Sequence, residues 1–316
     1  MTAYILRRLL LLIPVLLVVG VIVFTLIHLI PGDPAAVMLG REATREQVEA
    51  LRERLGLNEP FHVQFFKWFT NVLRLDFGNS LFLDQPVTRA LLDRVQPTGL
   101  LTLYSLTLAV LIAIPAGVVA AVRRNSLLDR LLMVFSISGV AIPNFFFGIL
   151  LILLFAVILG WLPSSGYVDI TDDPVEHLKH MVMPTLALSF SAAGLMARLV
   201  RSSMLDVLHD DYVRTAYAKG LPHRHVILRH ALRNALIPFL TIVGISLAGM
   251  LGGSVVIETV FNIPGMGRLL VQSVTRRDFP VVQAAVMVVA AVEVLVMLLV
   301  DILYVYIDPR VRYGSD

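Results

Sequence analysis

Cysteine is absent from the 316 residues. That removes disulfides, thiolate metal sites and cysteine nucleophiles together. Charge is scarce as well: Asp, Glu, Lys and Arg make up 16% of the chain against 57% hydrophobic residues, with a mean hydropathy of +0.82. Several long runs carry no charge at all. A helix needs about 20 apolar residues to cross a hydrocarbon core of roughly 30 Å, and a soluble core never needs several such runs. The chain reads as an all-α integral membrane protein. Its pI of 9.3 and net charge of +3 fit basic cytoplasmic loops rather than nucleic-acid binding. Enzyme signatures are missing too. No G-x-x-x-x-G-K-[ST], no H-E-x-x-H and no G-x-S-x-G occurs, so nucleotide cradling, zinc-protease and hydrolase-elbow chemistry by those routes are excluded. His177 and His180 in "HLKH" have the wrong spacing for a zinc helix and are expected in a polar outer loop.

Six runs qualify as spans, at about 9–30, 98–122, 131–160, 181–200, 235–257 and 281–307. The first follows Arg7 and Arg8, exceeds the roughly 7–15 residues of a signal-peptide core, and leads into "PGDPAA", a poor cleavage site. An uncleaved first span is expected. Basic residues set the orientation. With a cytoplasmic N-terminus, the inner pieces hold Arg7, Arg8, Arg123, Arg124, Arg130, the cluster from Arg198 to Arg233, Arg310 and Arg312. The short outer loops then hold only Lys179, Arg268, Arg276 and Arg277. Both termini are expected in the cytoplasm. The organisation is a stub and first span (1–30), a long outer loop (31–97), a five-span core (98–307) with a cytoplasmic loop at 201–234, and a tail (308–316).

The outer loop shows helical pattern. In "TREQVEALRERLG", Thr44 and Gln47 stand in capping-box spacing, Val48, Leu51 and Leu55 are apolar, and Gly56 is placed to stop the helix. "PFHVQFFKWFTNVLRL" follows with Phe61, Phe65, Trp68, Phe69 and Val72 on one side, and a third short helix is expected from Pro86. Such pieces most simply lie on the outer membrane face, aromatic side down. A docking platform for an external partner is the sharper reading.

Ionisable groups inside spans are few: His28, Arg198, Glu293 and Asp301. Buried charge is costly in lipid and usually functional. Glu293 admits two readings, lining a solute path or hydrogen-bonding a neighbouring helix. Prolines interrupt spans at Pro115, Pro143, Pro184 and Pro238, which neighbours or water must compensate. Pro143, with Asn144 after it, joins Glu293 as a candidate for the path. Gly249 and Gly253 stand in G-x-x-x-G spacing, suited equally to a subunit interface and to internal packing.

The segment "DYVRTAYAKGLPHRHVILRHALRNALIP" (211–238) is basic yet still helical in pattern. Ser202 or Ser203 can cap a helix that Gly220 stops, and Pro222 restarts a second one carrying Val226, Ile227, Ala231 and Ala235 beside Arg224, Arg229 and Arg233. Attraction to anionic headgroups, about 1 kcal/mol per basic residue, explains the charge. It does not explain the elbow. A short amphipathic helix on a sharp bend is what docking into a groove requires.

This segment resembles the cytoplasmic EAA loop of type I permeases in ATP-binding-cassette importers, the MetI-like kind. The most similar subfamily serves dipeptides, oligopeptides, glutathione and nickel. Ala216 and Gly220 match the last Ala and the Gly of the Glu-Ala-Ala-x-x-x-Gly pattern, while Arg214 and Thr215 replace its first two residues. Tyr217 stands where that branch commonly carries Arg. "IPGDPA", "LGLNEPFHVQFFKWF", "LDFGNS", "GWLPSSGY", "FNIPGMGRLLVQSV", "RRDFPVV" and "DPRVRYG" resemble the first permease subunit of such systems in the same order.

The resemblance implies a six-span permease whose residues Asp211, Arg214, Thr215, Ala216, Lys219, Gly220 and Leu221 form the ATPase-coupling loop. It implies a second homologous permease subunit, two cytoplasmic ATPase subunits that hold ATP and magnesium, and an external solute-binding protein. It also places the chain in a bacterial or archaeal cytoplasmic membrane with no cofactor of its own. Import of di- or oligopeptides is the main expectation. Nickel, glutathione or another small solute is the alternative, and an ion-coupled carrier the more distant one, since one central Glu is thin support for it.

Overall fold

The computed structural model describes residues 2–29, 33–40 and 43–307. Among them, regular structure is helical apart from one isolated bridge between Asn79 and Pro86. Five helices are long and apolar enough to cross a membrane, and a bent pair makes a sixth crossing if counted as one span. The tail at 308–316 and the side chain of Asp301 lie outside the described residues. The chain divides into two compact units, Met1–Pro97 with Pro264–Leu295, and Thr98–Ile263 with Val296–Asp316.

The first unit begins with α1 (Thr2–His28), α2 (Pro34–Leu39), α3 (Arg45–Arg54) and α4 (Phe61–Leu73). The capping box of α3 is in place: Gln47 N–H donates to Thr44 Oγ1 at 3.3 Å, and Thr44 N–H donates to Gln47 Oε1 at 2.9 Å. Leu51 is buried against Ala35 and Met38 of α2. Arg52 ties the two helices by an ion pair to Asp33 at 2.7 Å, a hydrogen bond that holds its guanidinium above the usual range.

The aromatic side of α4 packs in part on α1. Phe24 of α1 meets the rings of Phe61, Phe65 and Trp68 at 5.2, 5.4 and 5.5 Å between centroids, and His28 meets Phe61 at 5.0 Å. The first span offers these rings a ready apolar surface. The expected short helix at Pro86 is corrected. It is the first turn of α5 (Val87–Val122), whose Val87 and Leu91 pack on Met266 and Leu269 of α13 (Met266–Arg276) and on Val281, Ala284 and Ala285 of α14 (Phe279–Ile307).

The second unit holds the rest of α5, α6 (Leu127–Ala141), α7 (Asn144–Leu151) with a π-helical continuation (Ile152–Ile158), α8 (Pro174–Leu208) and α12 (Ile237–Val260). The expected span at 131–160, with its interruption at Pro143, is a helix pair bent by 106°. Pro143 causes the break. The residue before a proline is driven out of the helical region, and Ile142 accordingly sits at φ −88, ψ 122.

Close crossings in this unit lie away from the G-x-x-x-G pair. A Cβ at Gly139 would meet Phe190 O at 2.7 Å, and one at Gly194 would meet Ser136 O at 2.5 Å, so α6 and α8 touch backbone to backbone there. Gly249 has open space around it, and Gly253 meets Leu188 only at 3.5 Å. Around this crossing Met181, Met183, Leu188, Met196, Val200, Met204, Ile257 and Phe261 form the buried core.

Candidate functional site

The elbow grows from the end of α8. Asp173 caps that helix by accepting from Val175 N–H at 2.9 Å and Glu176 N–H at 3.1 Å. The helix then runs on to Leu208, past the expected caps at Ser202 and Ser203, which are ordinary helical residues. Met204, fully buried, keeps the turn in the core, and Arg201 anchors it from the side. Arg201 donates to both oxygens of Asp129 in α6, at 2.6 and 2.8 Å, and Asn125 N–H adds a third bond at 2.9 Å. Asp129 is only 3% exposed. This pair was not read from the sequence, and no local signal connects residues 72 apart.

After a short turn, α9 (Asp211–Ala218) begins at Asp210. Its inner face is Val213 and Ala216, which pack with Val226 against Val207, Leu208 and Leu221. Its outer face shows Asp211, Tyr212, Arg214, Thr215 and Tyr217 to solvent. Ala216 lies in the loop with its side chain buried under the helix. Arg214 and Asp211 are paired at 3.6 Å with side chains 71% and 97% exposed. Such a pair adds little stability and leaves both charges available.

The stop is where the pattern places it. Gly220 has φ +75, its N–H donates to Tyr217 O at 2.9 Å, and Leu221 N–H reaches Ala216 O at 3.4 Å. That is a left-handed C-terminal cap with its apolar contact, Leu221, folded back on α9. Pro222 then starts α10 (His223–His225), which continues through a π-helical turn (Val226–Ala231) into α11 (Leu232–Ala235). Val226, Ile227, Ala231 and Ala235 are buried, as their spacing implies. Two tyrosines hold the limbs together. Tyr217 Oη pairs with His223 Nδ1 at 2.8 Å, and Asn234 Nδ2 donates to Tyr212 Oη at 2.7 Å. Sequence reading passed over both contacts. Lys219 is exposed at the turn.

Packing gives the elbow a mechanical connection. The same cluster that seats α9 includes the last residues of α8, and Ile227, Ala231 and Ala235 enter the main core with Val200 and Met204. A force on α9 therefore passes to α8 and, through α11, to α12. π-helical turns such as the one at Val226–Ala231 tend to mark functional positions.

The path candidates separate. Pro143 and Asn144 sit together at the 106° break, with Asn144 the first residue of α7. Glu293 belongs to α14 in the first unit, where it is half-buried and makes no hydrogen bond among the described residues. A further carboxylate escaped notice because it falls just beyond the expected end of the fifth span. Glu258 is 0% exposed and accepts from Thr98 Oγ1 at 2.6 Å. His177 is not in a loop but in the first turns of α8. It is fully buried, hydrogen-bonded to Val168 O at 2.7 Å, with Tyr104 and Tyr167 against its ring. Burial pushes the Tyr167 phenol up to about 12.

Comparison with known proteins places this architecture. Residues 113–313 match the family described as binding-protein-dependent transport system inner membrane component, and residues 1–102 match the N-terminal module of the same systems. A glutathione transport system permease protein, GsiC, of Salmonella paratyphi A is 46% identical over 99% of this chain and 100% of its own length. A probable peptide ABC transporter permease, y4tP, of Sinorhizobium fredii is 45% identical over the same shares. An inward-facing structure of the MetNI methionine ABC transporter matches with a TM-score of 0.58 at 20% identity, covering 69% of this chain and 96% of that one. The likeness to it is one of fold. With the family models together spanning most of the chain, and relatives matching it end to end, the protein is a multi-pass membrane permease of the type I ABC importers, in the peptide and glutathione branch.

Proposed function

We propose that this chain is one of two different permease subunits in an importer of di- or oligopeptides. Two cytoplasmic ATPase subunits, which bind ATP and magnesium, drive it, and an external solute-binding protein feeds it. The observation that carries this reading is the exposed α9 held on a left-handed Gly220 and seated on the ends of α8 and α11. A groove on the ATPase grips Asp211, Tyr212, Arg214 and Thr215, and nucleotide-driven closure moves α8 and α12. By linkage, the outward-open and inward-open states must differ in these contacts, or ATP could not shift their populations. In this reading both termini face the cytoplasm, and Glu293, Pro143 and Asn144 line the path.

The solute class is supported by the relatives, a glutathione permease and a probable peptide permease. Glutathione, itself a small peptide, is the second reading and is favoured by the 46% identical Salmonella protein. The test is mass spectrometry of the solute retained by the purified binding-protein partner, followed by uptake into proteoliposomes holding the whole complex. A di-, tri- or oligopeptide and strictly ATP-dependent uptake are expected. A sugar or bare metal ion would overturn the solute reading. Uptake driven by an ion gradient without the ATPases would overturn the importer reading.

A further inference from the structure

The turn between α5 and α6 carries more positive charge than it can pair. Arg123, Arg124 and Arg130 are all exposed, and none makes a side-chain hydrogen bond or an ion pair among the described residues. Asp129 is the only carboxylate between Asp93 and Asp169 in the chain. Arg124 is close enough for its charge to act on Asp129. Both oxygens of that carboxylate are already taken, however, by Arg201 at 2.6 and 2.8 Å and by Asn125 N–H at 2.9 Å. Three guanidinium groups are surplus to it.

An apolar surface begins at the same turn. Leu127 is 73% exposed, and Leu131, Val134 and Ile137 are each more than half exposed. Their spacing puts them on one side of α6, opposite Ser136, whose backbone meets Gly194 of α8. In a membrane permease such a side suits lipid. Arg130 stands on it too, three residues after Leu127 and four before Val134, so exposed apolar side chains bracket it along the helix. At 1.5 Å per residue it lies about 4.5 Å further along α6 than Leu127. An arginine so placed lays its stem along the leucines and lifts its guanidinium to headgroup level. There its planar fork fits a phosphate.

We infer that the α5–α6 turn holds an anionic phospholipid, its phosphate on Arg124 and Arg130 and its acyl chains along Leu127, Leu131 and Val134. The cations and the apolar stripe are continuous, which selects a lipid over a free anion. The surplus is all of one sign, which selects an anionic headgroup over one that brings its own cation. The site uses no residue of the 211–238 elbow and stands whatever solute the importer carries.

The full chain, purified in neutral detergent and stripped of lipid, is titrated with phosphatidylglycerol or with phosphatidylcholine of the same acyl chains. Native mass spectrometry counts the bound lipids. The first phosphatidylglycerol should bind saturably and at least about tenfold more tightly than phosphatidylcholine. That comparison is made on the unmodified chain and does not depend on how any variant folds. Arg124→Gln with Arg130→Gln should weaken this first binding at least about tenfold. Arg224→Gln with Arg229→Gln removes the same charge from the elbow and should leave it in place. Equal affinity for the two lipids would leave the turn to a protein partner and overturn the site. An unchanged affinity in the Arg124 and Arg130 variant, or an equal loss in both variants, would overturn it as well, the second by showing attraction to overall charge alone.

Discussion

Gly220 carries more of the coupling argument than any charged residue around it. At φ +75 it occupies a region that costs an ordinary L-residue roughly 1–2 kcal/mol, and a β-branched one more. Gly220→Val should therefore misaim α9 while the spans insert and pair normally, lowering solute-stimulated ATP hydrolysis about tenfold or more, since 1.4 kcal/mol is a factor of ten. Replacing exposed Arg224 and Arg229 by Ala should change hydrolysis far less. Normal hydrolysis in the glycine variant and loss in the arginine variants would assign the loop to lipid instead. The position was legible because helix punctuation is local: a Gly, a Pro two residues on, and apolar residues in helical register. The Asp129–Arg201 pair was not, since its partners are distant in sequence and each looks like an ordinary loop or surface charge. Removing one member leaves the other poorly compensated, a loss of about 3 kcal/mol for such a buried pair. Asp129→Asn should thus lower the melting temperature of the purified subunit, and the double change Asp129→Leu with Arg201→Met should restore much of it. Equal melting of Asp129→Asn and the parent would show the pair to be idle.

At the scale of elements, apolar runs and aromatic periodicity revealed that helices exist, but not what covers their faces. The stripe of α4 reads identically whether it rests on headgroups or on another helix; the rings of Phe24 and His28 on α1 show which helix it meets. Trp68→Ala removes the widest of those contacts, and a partly buried site of this kind loses about 3 kcal/mol. The expected outcome is earlier thermal unfolding and faster proteolysis in residues 58–75, with membrane insertion intact. An α4 lying on lipid would show neither change. In the third span Pro143 announces an interruption, but hydropathy runs through Ile142 and Pro143 without showing its size, which backbone sterics at the proline set at 106°. Glu293, half-buried and without a hydrogen bond among the described residues, belongs at this scale too, because its neighbours on α14 are apolar. Glu293→Gln should alter uptake or selectivity in the complex with assembly unchanged. Lost assembly with unchanged selectivity would make it a packing residue.

For the whole molecule the account depends on which side of the membrane the elbow occupies and what touches it. The absence of cysteine makes both questions directly measurable, because every introduced thiol is unique. Arg124→Cys should react with an impermeant maleimide only from the cytoplasmic side, and Thr44→Cys only from outside. Reversed labelling would place the elbow where no ATPase can reach it. The central claim is that α9 meets the ATPase through its exposed face while its other face stays seated on α8 and the π-helical turn. Site-specific crosslinking in the assembled complex, with Thr215→Cys on the outer face and Ala216→Cys on the inner one, tests it most directly. The account predicts that Thr215→Cys forms a crosslink to the ATPase subunit that blocks transport, and that Ala216→Cys forms none. A crosslink from Ala216→Cys and none from Thr215→Cys, or none from either in a complex that still transports, would contradict it.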